Sequence, residues 1–408
     1  MAARGGKARV ASGDGVLVIT SGHSKGSDRS SMLGACISGV AKTQITRRSG
    51  KSVLLQAAEA IGAAVRDAGL EIADIDGLAT YSLHDSVGPD YVAMALGIPE
   101  LSWSMDWVSG GSASAALIGY ASAAIRSEFA NNVVVYRALN GSSGLRMGGV
   151  GIQGTSASEA FTSRYGFGTA AQWAAMACQR HMAVYGTSPA ALAQIAVRQR
   201  GYAQLNPAAI TKGAPISEQD YFRSPFIAEP LRLYDCCQES DGAAAAVVSR
   251  SGRVGANSSR DVDVMSMAYT SPLGSEPPYE KYEDVTVMFP HWLQKRLFES
   301  AGIGPEAIDL AYLYDAFTFS VLCQLEDFGF CPKGEGSDYV LEQRARPLVN
   351  TNGGLLSEGY IHGFNNLVEA VVQLRGEAHD RQADRHDIAL VSGYGLTRGS
   401  AVVLSRAR

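Results

Sequence analysis

Apolar residues recur at helical spacing from Val53 to Ala68, in "VLLQAAEAIGAAVRDA", before the pattern breaks at Gly69 and runs into "LEIADIDGLATYS". Recurrence every three or four residues lays one apolar stripe along a helix, and a glycine just past it is a stop signal. The same succession returns near the other end of the chain, in "LFESAGIGPEAIDLAYLYDAFT". Ala301, Gly302, Ile308, Asp309 and Tyr314 repeat Ala68, Gly69, Ile75, Asp76 and Tyr81 at one constant offset. A register kept over that many positions predicts an internal duplication.

The parallel continues downstream of each copy. "GGSASAALIGYASAAIRSE" and "EGYIHGFNNLVEAVVQLRGE" are each a glycine turn leading into an amphipathic helix. Each is followed by a short apolar run, "NNVVVYRAL" centred on Val133 to Val135 and "DIALVSGYG" centred on Ile388 to Val391. Short continuous apolar runs are the pattern of strands buried on both faces. The expected fold is therefore α/β, two related layers packed back to back, with halves at 15–255 and 256–408. Within the first half, about 140–239 has a different texture, rich in Gly, Ser, Tyr and Pro, and reads as an inserted loop domain. It carries a helix over Ala170 to Tyr185 and then "SPAALAQIAVRQRGYAQLNP", where Ser188 is placed to cap and Pro189 to fill the first turn. Inserted loops on such scaffolds commonly shape the substrate site.

Composition narrows the function classes. A chain of 408 residues, 46% hydrophobic and 18% charged, can bury a sizeable core. Its net charge of -5 offers no basic stripe, so nucleic acid is not an expected partner. Met1 to Gly15 lacks the apolar stretch of a signal peptide and no run of eighteen apolar residues occurs, so neither export nor a membrane is expected. Cys36, Cys178, Cys236, Cys237, Cys323 and Cys331 show no C-x-x-C spacing, which argues against a zinc ribbon or disulfide framework and suits a reducing cytoplasm. His23, His84, His181, His291, His379 and His386 show no metal spacing, and no cofactor is expected in this chain.

A duplicated α/β chain with these glycine turns resembles the thiolase superfamily, above all its sterol-carrier-protein-like branch. "HMAVYGTSPAALAQIAVRQRGYAQLNPAA", "YDCCQESDGAAAAVVS", "NTNGGLLSEGYIHG" and "SGYGLTRGSAVVL" carry the resemblance across nearly the whole chain. It implies five αβαβα layers. Thiolases attack with a cysteine at the start of the first-half helix, where the helix N-terminus lowers the thiol pKa. This chain has Ser112 there, a weak nucleophile without an adjacent base, which is expected to cap the helix. The family histidine aligns with Tyr360 in "EGYIHG", the family asparagine with Tyr314 in "YDAFT", and the terminal cysteine falls near Tyr394 and Gly395.

Phenols can hold or donate a proton. The "YDAFT" and "EGYIHG" forms resemble a narrower group, the thiolase-like lipid-transfer aldolases of bacterial steroid side-chain degradation. That group implies retro-aldol cleavage of a β-hydroxyacyl-CoA to a ketone and a shorter acyl-CoA such as propionyl-CoA or acetyl-CoA. It also implies a homodimer joined by a small OB-fold/zinc-ribbon partner into a heterotetramer, with any zinc in the partner and coenzyme A entering as part of the substrate.

Cleavage of this kind needs a base for the β-hydroxyl and a site for the thioester enolate. Tyr314 and Tyr360 are the candidates for base and acid, in either order. Backbone amides at Gly110 and Gly111, with Gly393 or Gly395, are candidates for the oxyanion, with Ser112 in support. His362 stands ready to orient or polarise Tyr360, while Asp315 and Glu358 either border the pocket or tie down its loop. Cys236 and Cys237 point apart in an extended segment and begin no helix, so neither is read as a nucleophile. Phe161, Tyr165, Phe167, Trp173, Tyr221, Phe222 and Phe226 make the insertion aromatic, which suits a polycyclic acyl group. Trp103 and Trp107, beside the first glycine turn, are expected to pack, with the lining of an apolar ligand pocket as the alternative. Two other functions fit the sequence: an acyltransferase working through Ser112 or by direct transfer, and a lipid-carrier or scaffold subunit without turnover.

Overall fold

Ser52 sets the first long helix: its side-chain oxygen accepts the Leu55 amide at 3.2 Å and starts Val53–Asp67. That helix buries Ala57, Ala60, Ile61, Ala64 and Val65, the stripe its sequence spacing calls for. The computed structural model describes residues 34–144, 146, 162, 164–253, 257–272, 284–342, 346–395 and 397–407.

The strands are β1 (Ala35–Lys42), β2 (Gly77–Ser82), β3 (Trp103–Val108), β4 (Asn132–Asn140), the small ribbon β5 (Phe226–Ala228) and β6 (Leu231–Arg232), and β7 (Asp241–Arg250). The second half adds β8 (Val262–Thr270), β9 (Leu310–Tyr312), β10 (Leu348–Val349), β11 (Ile388–Gly395) and β12 (Arg398–Arg406). Ten of them form one sheet ordered β10-β9-β11-β12-β8-β1-β7-β4-β2-β3. Outward from its centre the two sides match. β1 pairs antiparallel with β7, β7 antiparallel with β4, and β4 and β3 flank β2 in parallel. β8, β12, β11, β9 and β10 repeat that series of pairings. Within the sheet, the described strands of the two halves pair at Cys36↔Asp263 and Ile37↔Val262, where β1 touches β8.

The duplication extends to single hydrogen bonds. Asp76 takes the amides of Asn131 and Asn132 on its carboxylate at 2.9 Å, fixing the start of β4. Asp309, its repeat, takes the amides of Asp387 and Ile388 at 3.1 and 3.3 Å at the start of β11. The helices Ala116–Arg126 and Phe364–Leu374 pack against strands of both halves, while Val53–Asp67 covers β1, β4 and β7 and Pro290–Ala301 covers β8 and β12. Alternating outer helix, half-sheet, inner helices, half-sheet and outer helix gives the five expected layers, and Ser31–Arg408 forms one compact unit.

The insertion forms Ala170–Tyr185, capped by Thr169, and Pro189–Leu205, where Ser188 accepts the Ala190 amide at 3.1 Å. It grips the second-half glycine loop through polar contacts: Arg200 Nε donates to Ser357 Oγ at 3.0 Å and Thr211 Oγ1 to the Ser357 carbonyl at 2.7 Å. Its aromatics have other tasks. Phe167 and Trp173 meet edge to face at 4.5 Å beside a cavity of about 470 Å³ whose lining holds neither tyrosine of the predicted pair. Tyr221 is buried with its hydroxyl on Asp235 at 2.8 Å, and Arg232 lies 4.0 Å over the ring of Phe226. Phe161 lies outside the described residues. Trp107 packs 5.1 Å from Tyr269 and 5.6 Å from Tyr120, as expected of a structural residue.

Candidate active site

Tyr314 leaves the end of β9 with its amide on Ser392 Oγ at 2.9 Å, while its carbonyl accepts from Gln324 Nε2 at 2.9 Å. Tyr360 sits on the opposing loop, its amide shared between the Gln238 carbonyl and Ser240 Oγ, each at 3.1 Å. These two backbones, from separate segments, bring the phenol oxygens to 2.7 Å with the rings edge to face. Tyr394 adds a third ring 5.7 Å from that of Tyr314. Tyr81, the repeat of Tyr314, reaches the same loop and donates to the His362 carbonyl at 2.8 Å.

The first-half glycine turn is a 3-10 turn, Gly110–Ala113, and the α-helix begins only at Ala116. Ser112 is therefore no helix cap, contrary to the sequence expectation: its hydroxyl turns back to the Ser109 carbonyl at 2.7 Å and lies 2.9 Å from Ser109 Oγ. Two intervening residues separate the turn from the helix. No histidine or carboxylate touches that hydroxyl among the described residues, so nothing activates it. Gly111 lies against Tyr314, where a Cβ would come within 2.4 Å of the phenol oxygen. A Cβ at Gly395 would stand 3.2 Å from that of Ser112, so the terminal hairpin of the second half closes on the turn of the first.

The supporting residues divide clearly. Asp315 accepts the amides of Leu355 and Leu356 at 2.9 and 3.1 Å and so ties down the glycine loop, with burial pushing its carboxyl up to about 7. Glu358 is fully buried and paired with Lys42, and it accepts from Asn206 at 2.8 Å, Asn365 at 2.7 Å and Asn352 at 2.6 Å. His362 does reach the pair, its ring 5.2 Å from that of Tyr360. Its Nδ1 faces Arg137, and burial together with that guanidinium pushes the imidazole down to about 3. Arg137 in turn is paired with Asp85 at 2.6 Å.

Both phenols are held well above the usual tyrosine range, first by burial. Tyr314 is pushed further by Tyr360. Tyr360 is pushed further by the Cys237 thiol, but the hydrogen bond from Tyr314 and the charge of Arg137 pull it back. Cys237 thus lies close to the pair, and burial raises its own thiol far above the range of a nucleophile. Sequence reasoning missed Arg137, Asp85 and the proximity of Cys237. Only Arg137 carried a signal, a lone charge inside the apolar run "NNVVVYRAL", since a buried charge demands a partner. His181, Cys323 and Glu326 form a metal-like cluster, but Lys333 already sits 3.2 Å from Glu326 and supplies its positive charge.

Residues 279–406 match the family described as thiolase C-terminal domain-like. A 17-hydroxy-3-oxo-4-pregnene-20-carboxyl-CoA lyase from Mycobacterium tuberculosis is 36% identical over 387 residues, covering 90% of this chain and 98% of that one. A steroid side-chain-cleaving aldolase from Thermomonospora curvata is 36% identical over 381 residues, 90% of this chain and 97% of its own. Among solved structures, an Ltp2-ChsH2(DUF35) aldolase superposes with a TM-score of 0.85 at 35% identity, over 92% of this chain and 98% of that one. A monomeric SCP2-thiolase like protein from Mycobacterium smegmatis, at 19% identity and a TM-score of 0.73 over 93% of this chain and 79% of that one, shares the fold. The expected thiolase architecture and lyase chemistry thus coincide in relatives that cover about nine-tenths of this chain, and the chain belongs to the thiolase-fold carbon–carbon lyases, the steroid side-chain-cleaving aldolases.

Proposed function

We propose that this chain cleaves a β-hydroxyacyl-CoA thioester bearing a steroid side chain into a ketone and a shorter acyl-CoA, propionyl-CoA or acetyl-CoA. The observation that carries the reading is the 2.7 Å phenol pair standing where a thiolase keeps its proton-transfer groups, beside a serine that nothing activates. We take the active form to be the pair with one proton removed and assign its charge to Tyr360, which has the Tyr314 hydroxyl at 2.7 Å and the Arg137 guanidinium behind the neighbouring His362 ring. Tyr360 takes the β-hydroxyl proton, the bond between the α and β carbons breaks, and its electron pair moves into the thioester as an enolate. Tyr314 protonates the α carbon, and a proton crossing from Tyr360 to Tyr314 restores the pair. Backbone amides at Gly111 and Gly395 are assigned to the enolate oxygen, with Ser112 holding their turn in shape. No cofactor enters these steps.

The relative described as an Ltp2-ChsH2(DUF35) aldolase is named for two components, which supports a small OB-fold/zinc-ribbon partner here. β3 ends the sheet with one edge unpaired by any described strand, and we assign that edge to a second copy, giving a homodimer and, with the partner, a heterotetramer. All six cysteines are free, which supports a cytoplasmic setting; no helix among the described residues is long and apolar enough to cross a membrane.

The test is to incubate the chain, with and without a small OB-fold/zinc-ribbon partner protein, with β-hydroxyacyl-CoA thioesters and to follow ketone and short acyl-CoA together. Stoichiometric release of both is expected. Acyl transfer that vanishes in Ser112→Ala, or binding without turnover in either preparation, would replace this reading with one of its rivals. A second expectation concerns Gly111→Ala. Its methyl would displace the Tyr314 phenol, and misplacing a reacting group by about 1 Å costs about 100-fold in kcat. Wild-type kcat in a folded variant would show that this contact does not set the pair.

A further inference from the structure

Arg137 is fully buried in the middle of β4, among valines and alanines. Its Nη1 donates to the Ala138 carbonyl at 2.8 Å, and its Nη2 reaches Asp85 Oδ2 at 2.6 Å. Its Nε and Nη2 both point at Nδ1 of His362, at 3.1 and 2.9 Å. A guanidinium has donors only, so Nδ1 must accept and the single ring proton must lie on Nε2. Among the described residues Nε2 has no hydrogen-bond partner. The backbone of His362 is equally constrained: its φ of 51° is left-handed, which residues other than glycine adopt uncommonly, and its carbonyl is held by Tyr81.

We infer that Arg137, oriented by Asp85, is a positioning residue that locks His362 as a neutral imidazole whose Nε2–H, beside Tyr360, donates to the oxygen that gathers charge during cleavage. The donor role rests on the retro-aldol reading, while the lock stands on geometry alone. The groups facing the ring are Arg137 from β4, Asp85 from the loop after β2, Tyr81 from β2 and Tyr360 from the ring's own loop. Asp85 acts on the guanidinium, to which it is bonded, and its charge alone would favour an imidazolium. Arg137 outweighs it through two direct contacts. A histidine free to accept a proton would compete with the phenolate for the β-hydroxyl proton, whereas a fixed neutral N–H stabilises an anionic oxygen without taking part in the proton count.

Nitrogen-15 NMR of histidine-labelled protein, with His362 assigned by His362→Gln, reads the tautomer directly. In the wild type His362 is expected as the Nε2–H tautomer without titration from pH 5 to 9. Arg137→Gln is expected to free the tautomer, bring the ring's titration into that range and lower kcat about tenfold or more with little change in KM. Asp85→Asn, which keeps the guanidinium, is expected to leave the ring neutral and cost less. A wild-type His362 protonated at Nδ1, or titrating in that range, overturns the lock even if Arg137→Gln does not fold. An Arg137→Gln protein whose ring titrates while kcat stays at the wild-type value overturns the donor role. Should the phenol variants keep full activity, the retro-aldol reading falls while the tautomer result stands.

Discussion

Tyr360→Phe is expected to lower kcat for cleavage by about 100- to 10,000-fold, the range for losing a positioned general base. The change removes one oxygen from a pair held 2.7 Å apart and leaves a ring of nearly the same shape. KM and the unfolding midpoint should therefore move little. Tyr314→Phe is expected to fall as far, because it removes both the donor that stabilises the Tyr360 phenolate and the acid for the enolate. The double variant should be little worse than either single one, since residues acting as a unit are not additive. The wild-type pH profile follows from the same electrostatics. Both phenols lie above the usual tyrosine range, so the singly ionised pair is a minor species at neutral pH. Its population, and with it kcat/KM, is expected to rise with pH through the neutral and mildly alkaline range. Steady-state assays of the three variants, with a wild-type pH series, check this. Full activity in both single variants, or a flat profile, would exclude the pair as the proton-transfer machinery.

The duplication was legible because a repeated sheet needs repeated anchors. Asp76 and Asp309 cap equivalent strands with equivalent bonds, and that job allows few other side chains at either position. Tyr81 and Tyr314 share a register because both must reach one glycine loop. The contacts around His362 were hidden for the opposite reason. Asp85, Arg137 and His362 lie on three distant segments: β2 and β4 are neighbours in the sheet and bring Asp85 to Arg137, and His362 reaches Arg137 from the second-half glycine loop, an arrangement no local pattern encodes. Ser112 was misplaced as a cap because a 3-10 turn precedes the helix, and propensity hardly separates such a turn from a first helical turn. The aromatics of the insertion looked like a ligand wall in sequence. In the folded chain Tyr221, Phe226 and Trp173 satisfy neighbours within the insertion, and its grip on the site comes from Arg200, Asn206 and Thr211.

That grip converges on Glu358, and Glu358→Ala is expected to be the most destabilising single change near the site. The carboxylate has no solvent access, and its partners come from β1, the insertion, the glycine loop and the following helix: Lys42, Asn206, Asn352 and Asn365. Removing it leaves a largely buried ammonium without its partner and three amide groups each short of one acceptor, a loss of about 3–5 kcal/mol for a broken buried pair. Glu358→Gln keeps the shape but not the charge, and is expected to recover only part of it. The pH dependence separates charge from packing. Burial works against ionisation, yet Lys42 and the amides hold the Glu358 carboxyl below its ordinary value of 4.5. A carboxyl depressed on folding stabilises fully above its unfolded pKa, and the contribution fades as pH falls through the folded one. The stability gap between wild type and Glu358→Gln should therefore be widest at neutral pH and narrow below about pH 4. Urea unfolding at both pH values measures it, and a gap that stays constant would assign the effect to packing. Because Glu358 immediately precedes Gly359, whose φ of 140° only glycine adopts readily, its loss should also release the backbone that aims Tyr360. Activity in Glu358→Gln is then expected to fall even where the protein remains folded, since Asn365, held by the carboxylate, also holds the Gly359 carbonyl one residue before Tyr360.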